Sequence, residues 1–214
     1  MSEPEPINDA PINYEVIDNE PIADDPVAPE VVFRETLYAG RIQSFVRERF
    51  RYNDSVIDRE FFEHPGAVGV VAIDDEDRVL AIKQYRHPIR SRDWEIPAGL
   101  LDVVDEPLLE AAKRELAEEA DLEAAEWEIL ADSVTSPGGS NERLRIYLAR
   151  GLTATHTPFP REEEEADIVI RWIPLDELVD AIAAGTIRNS LLQIGVLAAY
   201  AARARGLGTL RREQ

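Results

Sequence analysis

The chain has 214 residues, 44% of them hydrophobic and 31% charged, enough for one well-buried domain with a small appendage. It contains no cysteine, which excludes disulfides and thiolate metal sites, and its three scattered histidines, His64, His87 and His156, do not make a zinc site. A formal net charge of −20 repels a phosphate backbone and argues against nucleic-acid binding; no apolar run is long enough for a bilayer and no secretion-type segment opens the chain, so a cytoplasmic protein is expected.

Residues 1–30 hold nine acidic residues, no Lys or Arg, and six of the fourteen prolines. Such a segment buries too little apolar surface to offset its ordering entropy, and it reads as a disordered acidic tail. Residues 31–64 form an N-terminal β subdomain, with alternation from Gly40 to Phe50, a turn at 52–55 and a returning strand from Ser55 to Phe62. Residues 65–206 form the main domain. Its first strand, 67–73, turns at 74–77 into a hairpin partner at 78–85, and a short strand follows from Trp94, a core-packing residue, to a glycine turn at Gly99. A helix is expected from Pro107 to Ala120, because proline suits a first helical turn and Leu108, Ala112 and Leu116 recur at helical spacing. Strands are expected at 127–134, 144–149 and 167–173, an acidic loop at 161–166, and closing helices at 174–184 and 188–205. Residues 207–214 read as a C-terminal tail. Strands, a helix, more strands and then helices make an α+β protein, a mixed β-sheet sandwiched between helices.

The chemistry concentrates in the first helix. Residues three and four apart share a helix face, so Glu115, Glu118 and Glu119 point into one region. Clustered carboxylates repel unless a cation lies between them, and hard divalent ions take such oxygens. Taken alone, the same string of residues is better explained by an exposed helix laced with ion pairs through Lys113 and Arg114, because such strings are common on surfaces.

Gly99, Glu106, the seven-residue spacer from Pro107 to Lys113, then Arg114, Glu115, Glu118, Glu119 and Leu122 together resemble the Nudix box. Two positions depart from it. Six residues, not five, separate Gly99 from Glu106, and Asp121 stands at the second glycine. The insertion falls in a loop before the helix, and aspartate tolerates the left-handed turn that glycine relieves. The resemblance implies a Nudix fold, and segments outside the box resemble its ADP-ribose pyrophosphatase branch: residues 34–40, 83–86, 136–142, 164–168 and 189–190. The likeness runs from about Arg34 to Ala201 and is strongest to actinobacterial members, where the extra loop residue recurs.

That resemblance implies Mg²⁺-dependent hydrolysis of ADP-ribose to AMP and ribose 5-phosphate, with Mn²⁺ as a substitute. The Ala98 carbonyl with Glu115, Glu118 and Glu119 would hold two or three ions, and Arg114 belongs to the same catalytic set. Glu164 would be the general base, with Glu163 and Glu165 in the same run as close alternatives. Arg86 would contact the diphosphate; its competing reading is a strand-end arginine paired with an acid. Arg59, in one sheet with Arg49 and Arg51, would reach the partner's ligand. Glu142 would bind the terminal ribose or groups behind it, and Gly138 and Gly139 would allow close backbone approach or simply form a turn. Relatives often stack an aromatic residue on adenine after the opening strand; here Arg41 and Ile42 stand there, with Tyr38 and Phe45 nearby. The resemblance further implies a homodimer with an N-terminal sheet exchanged between chains. Two alternatives stay open: another nucleoside diphosphate sugar or dinucleotide as substrate, and a non-catalytic ADP-ribose-sensing Nudix domain.

Overall fold

A computed structural model describes residues 22–157, 159, 167–206 and 210–211. Most of the acidic N-terminal segment and all of 160–166, including Glu163, Glu164 and Glu165, lie outside these residues. Residues 22–30 are exposed and form neither helix nor strand. Glu30 is nevertheless tied to the fold: its carbonyl accepts the Arg51 N–H at 3.0 Å, and its carboxylate pairs with the Arg51 guanidinium at 3.1 Å.

Three antiparallel strands open the fold: β1 (Val31–Ala39), β2 (Ser44–Tyr52) and β3 (Ser55–Glu63), in the order β1-β2-β3. The alternation expected from Gly40 begins as a strand only at Ser44. Gly40 donates to the Gln43 carbonyl at 3.1 Å in a tight turn, and a Cβ there would lie 2.4 Å from that oxygen, so only glycine fits. Cross-strand ion pairs lace the sheet, Arg34 with Glu48 and Glu63, Arg47 with Glu60, Arg49 with Asp58.

The main domain has two further sheets. One is ordered β7-β4-β9-β8, built from β4 (Ala67–Ala72), β7 (Ala98–Leu100), β8 (Leu122–Val134) and β9 (Arg143–Ala154); β4 and β9 run parallel. The other is ordered β10-β5-β6, built from β5 (Arg78–Arg86), β6 (Ser91–Glu95) and β10 (Val169–Pro174), all antiparallel. The expected β4–β5 hairpin is therefore corrected. The turn at Asp74–Asp77 exists, but the strands join through a single bridge, Ile73 to Val79, and then diverge into different sheets. The strand expected from Trp94 to Gly99 is likewise two strands. Its break falls at Ile96 and Pro97, where proline lacks the N–H a ladder needs, and the chain crosses from one sheet to the other.

Helix α1 (Leu108–Ala120) covers one face, and α2 (Leu175–Ala183) and α3 (Ser190–Arg205) cover the other. Strand alternation divides the core between them. Val68, Val70, Leu80, Ile82 and Tyr147 pack with Ala112 and Leu116 of α1, whereas Val71, Val79, Ala81, Ile146 and Leu148 pack with Leu175, Leu178, Leu192 and Val196. Trp94 packs against this second cluster, as expected, beneath the Lys83 ammonium. Gly195 lets α3 approach closely: a Cβ there would lie 2.7 Å from Val71 Cγ2. At the C-terminus the Arg211 carbonyl accepts the Ile129 N–H at 2.7 Å, so the described part of that segment pairs with β8.

Candidate active site

The acidic helix owes its geometry to both ends. Pro107 caps its start in an extended conformation, and Asp121 ends it in the left-handed region at φ 54°, ψ 38°, its N–H bonded to the Ala117 carbonyl at 3.0 Å. Leu116, Ala112 and Ala120 face the core, and the same face carries Glu119, which is only 4% exposed. A buried carboxylate needs donors or a cation. Glu119 Oε2 accepts the Ala98 N–H at 2.9 Å, which joins the helix to β7 at the residue whose carbonyl was expected to hold metal.

Gly99 explains the first glycine of the motif. A Cβ there would lie 1.9 Å from Glu115 Cδ and Oε1, so the Glu115 carboxylate rests directly on the β7 backbone. Arg114 supplies the positive charge between the other acids. Its Nη1 meets Glu115 Oε1 at 2.5 Å and Glu118 Oε2 at 3.2 Å, while Nε and Nη2 each make a 3.0 Å bond to the Glu106 carboxylate. The hydrogen bond from Arg114 holds the Glu106 carboxyl below the ordinary carboxylate range, and Glu106 above all, with Glu115, raises the guanidinium in turn. Among the described residues, no three Asp, Glu or His side chains are gathered as a ready-made metal cage. Even so, the donor chemistry fits a hard divalent cation: the Glu115 and Glu119 carboxylates both lie against the β7 backbone, where glycine leaves room for the Glu115 carboxylate.

Arg86 ends β5, on the same sheet face as Leu80 and Ile82 and hence on the side of α1. It is paired with an acid, as its competing reading anticipated: Glu95 accepts Arg86 Nε at 2.9 Å and Nη2 at 2.7 Å. The Arg86 side chain is nevertheless 41% exposed, so the pairing orients it without burying it. Glu95 is a residue the sequence reading missed. It lies within the strand expected from Trp94 to Gly99, but nothing in the sequence marks its side chain as buried.

The loop after β8 docks onto the N-terminal sheet. Phe62 donates to the Gly139 carbonyl at 2.9 Å and accepts from Asn141 N–H at 3.2 Å, and Asn141 Oδ1 accepts the His64 N–H at 2.8 Å. Within this chain Gly138 and Gly139 form a turn and meet nothing a Cβ would touch. Glu142 accepts from Thr135 Oγ1 at 2.5 Å and faces His64 Nε2 at 3.6 Å. On the N-terminal sheet Arg49 pairs with Asp58 and Arg51 with Glu30, whereas Arg59 reaches the Asp58 carbonyl at 2.8 Å and is exposed. Phe45 packs against Phe62 in a tilted pair with centroids 4.9 Å apart, whereas Tyr38, near Arg41 and Ile42, is exposed.

The acidic run containing Glu164 lies outside the described residues, but its flanks do not. Asp121 Oδ1 accepts the Phe159 N–H at 2.8 Å, and Arg92 binds both the carboxylate and the carbonyl of Asp167. The run is thus flanked by one contact at the end of α1 and another on β6.

A family model described as NUDIX domain matches residues 63–193. The chain is 44% identical over 168 residues to an ADP-ribose pyrophosphatase of Mycobacterium tuberculosis, covering 78% of this chain and 81% of that one. It is 34% identical over 163 residues to a methanol dehydrogenase activator of Bacillus methanolicus, covering 76% and 87%. Among solved structures, an ADP compounds hydrolase superposes with a TM-score of 0.69 at 20% identity, covering 86% of this chain and 99% of that one, a likeness of fold. Among the described residues, no helix is long and apolar enough to cross a membrane.

Proposed function

We propose a reaction from one premise: this chain belongs to the Nudix family. It hydrolyses the pyrophosphate bond of ADP-ribose to AMP and ribose 5-phosphate, with Mg²⁺ as its metal and Mn²⁺ as a substitute. The observation that carries the reading is the junction of α1 with β7, where Glu115 lies on Gly99 and Glu119 on the Ala98 N–H. The high identity to an ADP-ribose pyrophosphatase supports the substrate.

Glu115, Glu118, Glu119 and the Ala98 carbonyl would hold the divalent ions. A bound Mg²⁺ supplies neutralisation of the diphosphate and activation of water. Arg114, clamped by Glu106, keeps Glu115 and Glu118 together on one side of the helix and tempers their repulsion. Arg86 grips the diphosphate, to which a planar guanidinium is matched. Glu142 holds the terminal ribose from the 136–142 loop, and Arg59 reaches the neighbouring subunit's ligand. Glu164 accepts the proton of the attacking water. The protein acts as a cytoplasmic homodimer whose N-terminal sheets are exchanged, supported by the exposed Val31, Phe33, Leu37, Val56 and Phe62.

The test is turnover of ADP-ribose beside a GDP-sugar, a UDP-sugar and a dinucleotide, each with Mg²⁺. ADP-ribose is expected to be cleaved with the highest kcat/KM. Preference for another of these compounds would refute the substrate, and tight ADP-ribose binding without any turnover would favour a sensing role.

A further inference from the structure

Glu95 ends β6, and its side chain is 4% exposed, yet it is neither a metal donor nor in the core clusters. A carboxylate so buried is costly without partners. Three donors meet it: Gln84 Nε2 at 3.2 Å, Arg86 Nε at 2.9 Å and Arg86 Nη2 at 2.7 Å. The two arginine bonds form a fork that fixes both the place and the plane of the guanidinium. Gln84 and Arg86 are alternate residues of β5, and Glu95 stands opposite Ile82 in the adjacent strand, so all lie on the face covered by α1. Ile96 and Pro97 then carry the chain directly to Ala98, whose N–H binds Glu119. One short stretch of backbone therefore connects the holder of Arg86 to the metal-holding strand.

We propose that Glu95 is a positioning residue: it sets the Arg86 guanidinium relative to β7, so that the arginine meets the substrate diphosphate already oriented. This rests on the reading in which Arg86 grips the diphosphate. A fork fixed in advance spares the side-chain ordering that binding otherwise costs. Loss of Glu95 should therefore weaken substrate binding and leave the chemical step largely intact.

The experiment is a double-mutant cycle in steady-state kinetics with Mg²⁺ and ADP-ribose, using wild type, E95Q, R86A and the double variant, with melting temperatures alongside. Replacing Glu95 by Gln presents an amide NH₂ to the guanidinium. KM is expected to rise about tenfold in E95Q with kcat changed less than about twofold, and the E95Q effect is expected to vanish in the R86A background. An unchanged KM in E95Q or in R86A overturns the inference, as does an E95Q effect that multiplies in full with R86A. A buried Glu that serves stability alone would lower the melting temperature without separating KM from kcat. Should E95Q fail to fold, E95D keeps the charge but withdraws it by one methylene; the same rise in KM is expected, and a wild-type KM overturns the inference. Wild-type enzyme that leaves ADP-ribose intact refutes the proposed substrate, and the cycle is then read on the nucleoside diphosphate compound it does cleave.

Discussion

Asp121 shows how one side chain serves two local needs. It ends α1 in the left-handed region, and its Oδ1 accepts the Phe159 N–H. Asp121→Ala keeps the unfavourable Cβ and loses the bond, so a loss of about 1–2 kcal/mol is expected in urea unfolding. Asp121→Gly removes the Cβ and should recover much of that loss. The sequence shows Asp121 as a departure from a motif and shows that aspartate tolerates the turn. It does not show Phe159 as the partner, because local patterning carries no signal for a contact 38 positions away. Gly99 is the opposite case, marked by the motif and explained by the fold. In Gly99→Ala the new Cβ would collide with Glu115, so activity should fall about 100-fold at saturating Mg²⁺ with circular dichroism unchanged. Wild-type turnover in that variant would refute the role given to Glu115.

At the scale of elements, the salt-bridged start of α1 makes a pH-dependent contribution of defined sign. The Arg114 hydrogen bond depresses the folded-state value of Glu106. Its stabilisation is therefore present above the unfolded carboxylate value of about 4.3, and is lost as pH falls through the depressed value. Unfolding midpoints of Glu106→Gln should lie below wild type near neutral pH and converge with it in acid; parallel pH curves would contradict this. Close packing of α3 makes a second expectation. Gly195→Val should cost about 1–3 kcal/mol in thermal or urea unfolding, because Val71 already occupies the space beside it. The three helices were legible from apolar spacing and end signals, and the strands from alternation. Strand partnership was not, because alternation reports a strand and its faces but not which neighbour fills its hydrogen bonds. That is why Ala67–Ala72 and Arg78–Arg86 looked like a hairpin yet lie in separate sheets. The β8–β9 ladder is longer than the apolar pattern for a related reason: before Trp127 it runs through polar, solvent-facing residues such as Glu123 and Glu126.

For the molecule as a whole, the N-terminal sheet leaves Phe33 and Leu37 exposed beside paired charges, as a partner surface would. Light scattering after size exclusion should give twice the chain mass of 24.0 kDa, and Leu37→Arg should shift the protein towards that single mass and lower its activity. A wild-type monomer with full turnover would refute the exchanged dimer. The candidate site was legible in the sequence to the extent that its residues sit in one helix and one motif. The tie between Glu95 and Arg86 was not, since it depends on two sheets meeting at Ile96 and Pro97. The β7–α1 junction is the proposed metal-holding centre for pyrophosphate hydrolysis. It is tested most directly by following AMP and ribose 5-phosphate from ADP-ribose in wild type and Glu119→Gln, with and without Mg²⁺. Equal amounts of the two products are expected from wild type with metal, and a loss of about 100-fold or more in the variant or in chelator. Undiminished hydrolysis by Glu119→Gln, or by wild type in chelator, would contradict it.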